Sequence, residues 1–214
     1  MVISKKNHTV IWDWNGTLLD DFELSLHVIN VLLAERNLPL IDSSRYREVF
    51  SFPVKDYYAK IGFDFSREPF EIPAREFIDM YNRDVVKCNL HTGVIAVLER
   101  IRSAGKQQVI LSAMEQVILE QTLGSHQISH YFDKISGLDN HYADSKIENG
   151  KLLIEKLKLN PDETCLIGDT THDSEVAKEL GCSCILVANG HQSEDRLKQT
   201  GYPVLDDLRN LNVL

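Results

Sequence analysis

Acidic side chains follow two strand-like runs of the sequence, at the points where buried strands would end. Residues 10–12 (VIW) form the first run, and Asp13 comes directly after it. Residues 164–167 (TCLI) form a later run, which is followed by Gly168 and Asp169. Because ligands of an open α/β sheet bind beyond the carboxyl ends of its strands, both acids are predicted to reach one site.

Two carboxylates at neighbouring strand ends repel each other unless a cation joins them. Oxygen ligands suit a hard ion such as Mg²⁺, which commonly binds one or two carboxylates and a substrate phosphate. Ser112 ends another apolar run, and Lys146 precedes a predicted helix, so a hydroxyl and an ammonium group are available as well. Together, these residue types predict a pocket for a phosphoryl group, whose charge the metal and the lysine balance.

Strands and helices alternate along the second half of the chain. Such alternation indicates βαβ crossovers and a parallel sheet, to which the first strand-like run also belongs. Strands are predicted at residues 107–112, 134–136, 164–167, 183–187 and 203–205.

The stretch before this alternating part has the spacing of helices, and no convincing strand lies in it. We therefore predict a three-layer, Rossmann-like α/β domain from residues 1–19 and 89–214, with residues 20–88 inserted as an all-helical domain. Helices of the insertion are predicted at residues 22–37, 45–50, 53–61 and 73–89.

The composition is that of an ordinary globular protein, with 43% apolar residues in 214. The formal net charge of −9, without a clustered basic patch, argues against a nucleic acid as partner. The N-terminus has no apolar signal region, and no run approaches the roughly 18 apolar residues of a membrane helix, so a cytoplasmic protein is expected. The four cysteines lack the paired spacing of a zinc site and are interpreted as small hydrophobes.

Four segments resemble, in order, the motifs of the haloacid dehalogenase superfamily. Residues 13–18 (DWNGTL) resemble the first motif, DxDGTL, and residues 110–112 resemble the second, in which apolar residues precede Ser or Thr. Lys146 is similar to the lysine of the third motif, and residues 168–173 (GDTTHD) resemble the fourth, GDxxxD. The helical insertion between the first two motifs resembles the cap of the phosphoglycolate-phosphatase-like branch.

The resemblance implies a hydrolase that acts on phosphoric ester or acyl phosphate bonds and uses Mg²⁺. It makes Asp13 both the nucleophile, which forms an aspartyl-phosphate, and a metal ligand. The backbone carbonyl of Asn15 and the carboxylate of Asp169 would also bind Mg²⁺, and Asp173 would act in the outer shell. Asp173 has a simpler alternative role as a cap of the helix that it opens.

The same resemblance implies which groups hold the phosphate. Ser112 would donate a hydrogen bond to a phosphoryl oxygen, and backbone amides around Gly16, Thr17 and Ala113 would contribute further donors. Lys146 would hold the nucleophile and the phosphate together. The family often has KPxP at this point, which the present chain lacks, and the alternative Lys151 has the position of a solvated helical residue.

Asn15 departs from the family phosphatases, which have an acid–base aspartate at this position. Asparagine donates hydrogen bonds but transfers no proton at physiological pH, and losing a positioned acid–base group costs on the order of 10² to 10⁴ in rate. Three outcomes stay open. The enzyme is slow or prefers leaving groups such as acyl phosphates; another group, His172 or a cap residue, replaces the acid; or the protein binds phosphorylated ligands as a weak catalyst or regulator.

The predicted substrate is a small phosphorylated metabolite, and the protein is expected to be a monomer or a weak homodimer. Arg45, Phe52 and Lys55 of the insertion are candidates for substrate specificity, and their alternative role is packing and solvation of the insertion itself. His172 has the alternative role of an exposed bystander. The remaining histidines show no ligand spacing: His8, His27, His91, His126, His130, His141 and His191.

Overall fold

A computed structural model describes residues 2–138 and 146–214; His141, one of the histidines without ligand spacing, lies outside these residues. Six parallel strands form its central sheet in the spatial order β6–β5–β2–β7–β8–β9. The first strand-like run, β2, therefore lies in the middle of the sheet. The strands are β2 (Thr9–Trp12), β5 (Gln107–Glu115), β6 (Lys134–Leu138), β7 (Thr164–Gly168), β8 (Ser183–Val187) and β9 (Val204–Leu205). Two-residue strands complete the set: β1 (Val2–Ile3), β3 (Leu19–Asp20), β4 (Asn89–Leu90) and β10 (Asn212–Val213).

Helices cover both faces of the sheet, so successive strand residues are buried on opposite sides. Trp12 packs with Leu98 of one helical layer, whereas the adjacent Ile11 packs with Leu153 and Val176 of the other. The prediction of a three-layer, Rossmann-like α/β fold with a helical insertion is confirmed. The helices of this part are α5 (Val94–Ser103), α6 (Gln116–Ser125), α7 (Lys146–Leu157), α8 (Thr171–Leu180) and α9 (Glu194–Lys198).

Four helices lie between β3 and β4 and have a core of their own. Phe22, Leu32, Tyr46 and Tyr58 belong to this apolar cluster, which contains no strand residue of the central sheet. We call these helices the cap; they are α1 (Phe22–Glu35), α2 (Ser43–Val49), α3 (Val54–Lys60) and α4 (Glu71–Asp84).

The two connections between cap and sheet run side by side. Leu19 of β3 pairs antiparallel with Leu90 of β4, and Asp20 pairs with Asn89. The division into residues 1–19 with 89–214 and residues 20–88 stays a prediction, although this pair of strands gives it a plausible physical boundary.

Several element ends differ from the sequence-based prediction. The helix predicted at residues 73–89 ends at Asp84, because a 3₁₀ turn at Val85–Lys87 leads the chain into β4. Strand β5 continues to Glu115, three residues past its predicted end, through an irregular register with β6. Lys146 begins α7 and does not lie in a preceding loop. Among the described residues, no helix is both long and apolar enough to cross a bilayer.

Candidate active site

Asp13 lies just beyond the end of β2, where its backbone N–H still donates to the Ile167 carbonyl of β7 at 2.9 Å. Its side chain is 7% exposed. The Lys146 ammonium donates to Oδ1, and the Thr17 hydroxyl donates to Oδ2 at 2.9 Å. Burial raises the pKa of Asp13 to about 6, and the opposing attraction of Lys146 only limits this shift. Both carboxylate oxygens are thus held by cationic or hydroxyl donors.

Asp169 follows β7 and is completely buried beside Asp13. Its Oδ2 accepts the backbone N–H of His191 at 2.6 Å, and its Oδ1 lies 3.1 Å from the Thr17 hydroxyl. Burial raises the pKa of Asp169 to about 8, and the positive charge of His191 only limits this shift. Thr17 therefore lies between the two strand-end carboxylates that the sequence predicted to meet.

Asp173 both caps α8 and contacts the lysine of the site. Its Oδ2 accepts hydrogen bonds from the Thr170 backbone N–H at 3.0 Å and the Thr170 hydroxyl at 2.7 Å, which caps α8. Its Oδ1 accepts from the Lys146 ammonium at 2.6 Å. Burial opposes ionisation, but Lys146 and Thr170 together lower the pKa of Asp173 below its ordinary value. Helix capping and a charged site contact therefore use different oxygens.

The three carboxylates form a compact acidic cluster that could bind a metal ion. Ligand oxygens of Asp13, Asp169 and Asp173 all lie within 4.8 Å of one another. Lys146 is the ammonium that contacts this cluster. A set of three buried carboxylates provides hard oxygen donors that fit Mg²⁺.

Two glycines allow the backbone to approach Asp169 closely. A Cβ atom at Gly16, where φ is +74°, would lie 2.3 Å from Asp169 Oδ2, and one at Gly190 would lie 2.1 Å from the same oxygen. Both positions therefore require glycine. In this conformation the Gly16 N–H donates to the Leu19 carbonyl at 2.9 Å and to Asp21 Oδ1 at 2.8 Å.

Asn15 and Ser112 lie next to each other at the same edge. The Ser112 hydroxyl is fully buried and donates to Asn15 Oδ1 at 3.4 Å, while Ala113 is exposed further along β5. The Asn15 amide nitrogen donates to Tyr81 Oη at 2.8 Å and to Asp21 Oδ2 at 3.2 Å. Asn15 is thus the side chain through which the first motif contacts the cap helix α4.

Sequence reasoning missed a buried ion pair beside the acidic cluster. His191 Nε2 donates to Asp21 Oδ1 at 3.2 Å, and its Nδ1 lies 3.1 Å from Tyr46 Oη. Burial lowers the pKa of His191, but Asp21 raises it more, to about 9, so the ring is charged at neutral pH. In the sequence, Asp21 has the position of an acid at the start of a helix, and His191 shows no ligand spacing. Nothing in the sequence pattern marked either one.

The three predicted specificity residues lie apart from one another. Arg45 is exposed and binds Glu48 of its own helix at 3.2 Å. The Lys55 ammonium lies 5.7 Å from the Phe65 ring centroid within the cap. Phe52 reaches the α/β part of the chain, where its ring packs on His172 at 4.8 Å between centroids.

His172 itself is only partly covered. Its Nδ1 lies 3.1 Å from Glu175 on the same helix, and 18% of its side chain is exposed. The described contacts join it to Phe52 and Glu175 and not to Asp13 or Asn15. The alternative of His172 as the replacement acid therefore gains no support from these contacts.

The metal-free protein is expected to lose stability as the pH rises from about 4 to 9. The folded-state pKa values of Asp13 and Asp169 are about 6 and 8, above the ordinary 3.8, so stability falls between pH 3.8 and 6 for Asp13 and between pH 3.8 and 8 for Asp169. The stabilising charge of His191 is present below its ordinary pKa of 6.5 and is lost as the pH passes about 9. Urea unfolding in a chelator at several pH values measures this trend, and Mg²⁺ should weaken it. A midpoint that rises with pH would contradict the prediction.

The fold is a parallel sheet with a helical cap, and the site combines three carboxylates with a lysine beyond the central strands. Together they define a class of hydrolases that have a Rossmann-like core and an acidic site. The chain belongs to the haloacid dehalogenase-like hydrolase family, whose sequence model matches residues 10–187. This confirms the predicted superfamily, and the phosphatases among the relatives confirm the prediction of a hydrolase for phosphate esters.

Similar proteins include named phosphatases of about the same length. An N-acetylmuramic acid 6-phosphate phosphatase from Pseudomonas putida is 27% identical over 209 residues, which cover 92% of this chain and 91% of that protein. A phosphoglycolate phosphatase from Caulobacter vibrioides is 23% identical over 193 residues, covering 87% and 81%. A haloacid dehalogenase-like hydrolase from Streptococcus pneumoniae superposes with a TM-score of 0.83 at 19% identity, covering 96% and 97%.

Proposed function

We propose that the protein is a Mg²⁺-dependent phosphatase that hydrolyses a small phosphorylated metabolite through an aspartyl-phosphate on Asp13. One observation carries the proposal: Asp13 is bound by Lys146 and Thr17 and lies within a cluster of three buried carboxylates. The names of the relatives support a phosphorylated small molecule as the substrate class.

The first step is an in-line attack by a carboxylate oxygen of Asp13 on phosphorus. A phosphorus–oxygen bond to Asp13 forms, the bond to the leaving oxygen breaks, and the leaving group departs with the electron pair. Water then attacks the phosphorus of the aspartyl-phosphate, which releases inorganic phosphate and regenerates Asp13. Lys146 orients the Asp13 carboxylate and balances charge, and Ser112 is proposed to donate a hydrogen bond to a phosphoryl oxygen.

The acidic cluster is proposed to hold the metal. Asp13, Asp169 and the backbone carbonyl of Asn15 would be its protein ligands, and Asp173 would act in the outer shell. When bound, Mg²⁺ would neutralise negative charge on the transferring phosphoryl group. Backbone groups around Gly16, Thr17 and Ala113 stay proposed phosphate contacts, and the Gly16 N–H must leave its present acceptors to take part.

Chelation is expected to abolish phosphate release, and Mg²⁺ is expected to restore it. Without the ion, three buried carboxylates face the phosphoryl group with Lys146 as the ammonium at the cluster, so repulsion prevents close approach. The measurement is phosphate release from acetyl phosphate and p-nitrophenyl phosphate before chelation, after it, and after readdition of Mg²⁺. Equal turnover in excess chelator would disprove a metal-dependent reaction.

Asn15 restricts the proposed substrates to those whose leaving groups need little protonation. Its amide donates to Tyr81 and Asp21 and has no proton to transfer. The rate is therefore expected to fall steeply as the pKa of the leaving alcohol rises. A series of phosphate monoesters with graded leaving groups, with acetyl phosphate as the reference, measures this slope. A rate that is independent of the leaving group would indicate that another residue supplies the proton.

The lack of a transferable proton on Asn15 also favours a second candidate function, in which the protein binds or senses a phosphorylated ligand and catalyses its hydrolysis only weakly. Both candidate functions use the same site, and they differ in the rate of turnover. Tight binding of phosphorylated ligands without any Asp13-dependent release of phosphate would support the second candidate and disprove the first. Mg²⁺-dependent turnover that requires Asp13 would do the opposite.

A further inference from the structure

The side chain of Asn15 connects the first motif to the cap. Its amide nitrogen has two acceptors, Tyr81 Oη at 2.8 Å and Asp21 Oδ2 at 3.2 Å. Tyr81 lies on α4, and Asp21 immediately precedes α1, so both ends of the cap meet at this one amide. The Tyr81 hydroxyl also donates to Asp21 Oδ2. We call Asn15, Asp21 and Tyr81 the latch.

Asp21 collects donors on both of its oxygens. Oδ1 accepts the Gly16 N–H at 2.8 Å and His191 Nε2 at 3.2 Å, and Oδ2 accepts from Tyr81 and Asn15. The side chain is 1% exposed, so these four donors replace water almost completely. A buried carboxylate of this kind depends on every donor that it has.

An acid at position 15 is incompatible with this arrangement. A carboxylate there would put an anion about where the amide nitrogen now lies, 3.2 Å from Asp21 Oδ2. Like charges at that separation in a buried site repel strongly, and neither oxygen could donate to the other while both are ionised. The neutral Asn15 amide can donate to the Asp21 carboxylate, whereas a second carboxylate would repel it.

The surroundings of Asp13 are closed to solvent in this structure. Asp13 is 7% exposed, and Ser112 and Asp169 are fully buried. A second set of contacts, on either side of His191, joins cap and α/β part: Arg47 Nε donates to the Gly190 carbonyl at 3.0 Å, and Gln192 Nε2 donates to the Phe50 carbonyl at 2.9 Å. These contacts and the latch together hold the cap against the part of the chain that carries Asp13.

We propose that Asn15 is a positioning residue that holds the cap closed over Asp13, with Asp21 and Tyr81 as its partners. The effect of the latch on catalysis rests on the proposed function, whereas its effect on closure of the cap does not. The latch gives a reason for the amide at a position where the family phosphatases have an acid. The Asn15 amide donates hydrogen bonds to the cap, which an ionised carboxylate cannot do, but it cannot transfer a proton.

Exchanging the two side chains tests the latch. Asn15→Asp is expected to speed hydrogen–deuterium exchange in α1 and α4 by about 10- to 100-fold, the loss of charged hydrogen bonds in a buried network. In the double variant Asn15→Asp with Asp21→Asn, the new amide can donate to the new carboxylate, and Tyr81 can donate as well. Exchange in the double variant is expected to be slower than in Asn15→Asp but faster than in the wild type, because His191 then faces a neutral amide in place of the Asp21 carboxylate.

Removing a hydroxyl gives a milder variant that folds if the charge variant does not. Tyr81→Phe removes one acceptor of Asn15 and one donor to Asp21, so faster exchange is expected in α4. Tyr57→Phe is the matched control, because the buried Tyr57 hydroxyl of the same cap has no hydrogen-bond partner among the described residues. Its exchange should match that of the wild type.

Two results would overturn the latch. One is wild-type exchange in both Asn15→Asp and Tyr81→Phe; the other is a double variant that exchanges as fast as the single one. Exchange is measured without substrate, so these results do not depend on turnover. The proposed function fails separately, by activity that is independent of Asp13. If Asn15→Asp raised KM while hydrogen–deuterium exchange in α1 and α4 stayed as slow as in the wild type, the change in KM could not result from opening of the cap.

Discussion

Asp13→Asn is expected to reduce phosphate release by on the order of 10⁵-fold or more, the size of effect seen when a catalytic nucleophile is removed. An amide oxygen at position 13 is a far weaker nucleophile and cannot form the aspartyl-phosphate. The loss is expected in kcat, because Lys146 and Ser112, the proposed phosphate contacts, are unchanged. Phosphate release from acetyl phosphate at saturating Mg²⁺ measures it.

Stability separates this result from simple unfolding. The pKa of Asp13 is raised to about 6, so its charge destabilises the metal-free folded state above that pH. Replacing it by an uncharged amide should leave the urea midpoint at pH 7 unchanged or higher. Asp195→Asn, at an exposed position of α9, is the matched control and should retain full activity. Residual turnover of Asp13→Asn at one-tenth of the wild-type rate would exclude Asp13 as the nucleophile.

Lys146→Met is expected to lower the free energy of unfolding of the metal-free protein by about 3 to 5 kcal/mol, the cost of removing one partner from a buried charged pair. Lys146 is 5% exposed, and its ammonium contacts both Asp13 and Asp173. Without it, two carboxylates face each other with no ammonium between them. Turnover should also fall strongly, because the carboxylate loses its orientation and its counter-charge.

The pH dependence identifies the cause of this loss. Because Lys146 lowers the pKa of Asp173, its removal leaves two carboxylates with raised pKa values. The destabilisation should be greatest above about pH 6 and should shrink in acid as the carboxyls take up protons. Mg²⁺ should recover part of the lost stability but not the activity. Lys151→Met is the control, because Lys151 is exposed and pairs with Glu148 on the surface of the same helix. Equal urea midpoints for Lys146→Met and the wild type at pH 7 would contradict the pairing.

The latch changes the meaning of a third variant, Asn15→Asp. On the first motif alone, an aspartate at position 15 would be expected to restore a missing acid and raise activity. With Asp21 Oδ2 only 3.2 Å from the amide nitrogen, the same change adds a repulsive charge at the closed cap. The double variant with Asp21→Asn is therefore the proper test of whether an acid at this position speeds the hydrolysis of phosphate monoesters.

Local patterns sufficed for the central features of the site. Asp13 and Asp169 were predicted to meet because each directly follows a buried parallel strand, and adjacent strands end at the same edge. The pairing of β2 with β7 brings them together with Thr17 between them. Lys146 was found by resemblance of its motif, although its place at the start of α7 was not.

The buried ion pair of Asp21 and His191 could not be found in this way. The two residues are 170 positions apart, and each has an ordinary local interpretation, an acid at a helix start and a polar residue in a loop. Arg45 and Lys55 were candidates for substrate specificity because of their charge, and this stays a prediction; the structure places Arg45 beside Glu48 and the Lys55 ammonium over the Phe65 ring. The charge of a residue does not show where its side chain points, because the orientation depends on the packing around it.

The sequence by itself determined the family, the alternation of strands and helices, and which carboxylates reach one edge of the sheet. These features follow from hydrophobic periodicity and short motifs, which depend on neighbours a few residues away. Only the tertiary structure decided what Asn15 does. Its amide binds both Asp21 and Tyr81 because Tyr81 and His191 arrive from distant segments and exclude water together with the nearby Asp21. Burial makes their charges interdependent, and burial is a property of the folded chain.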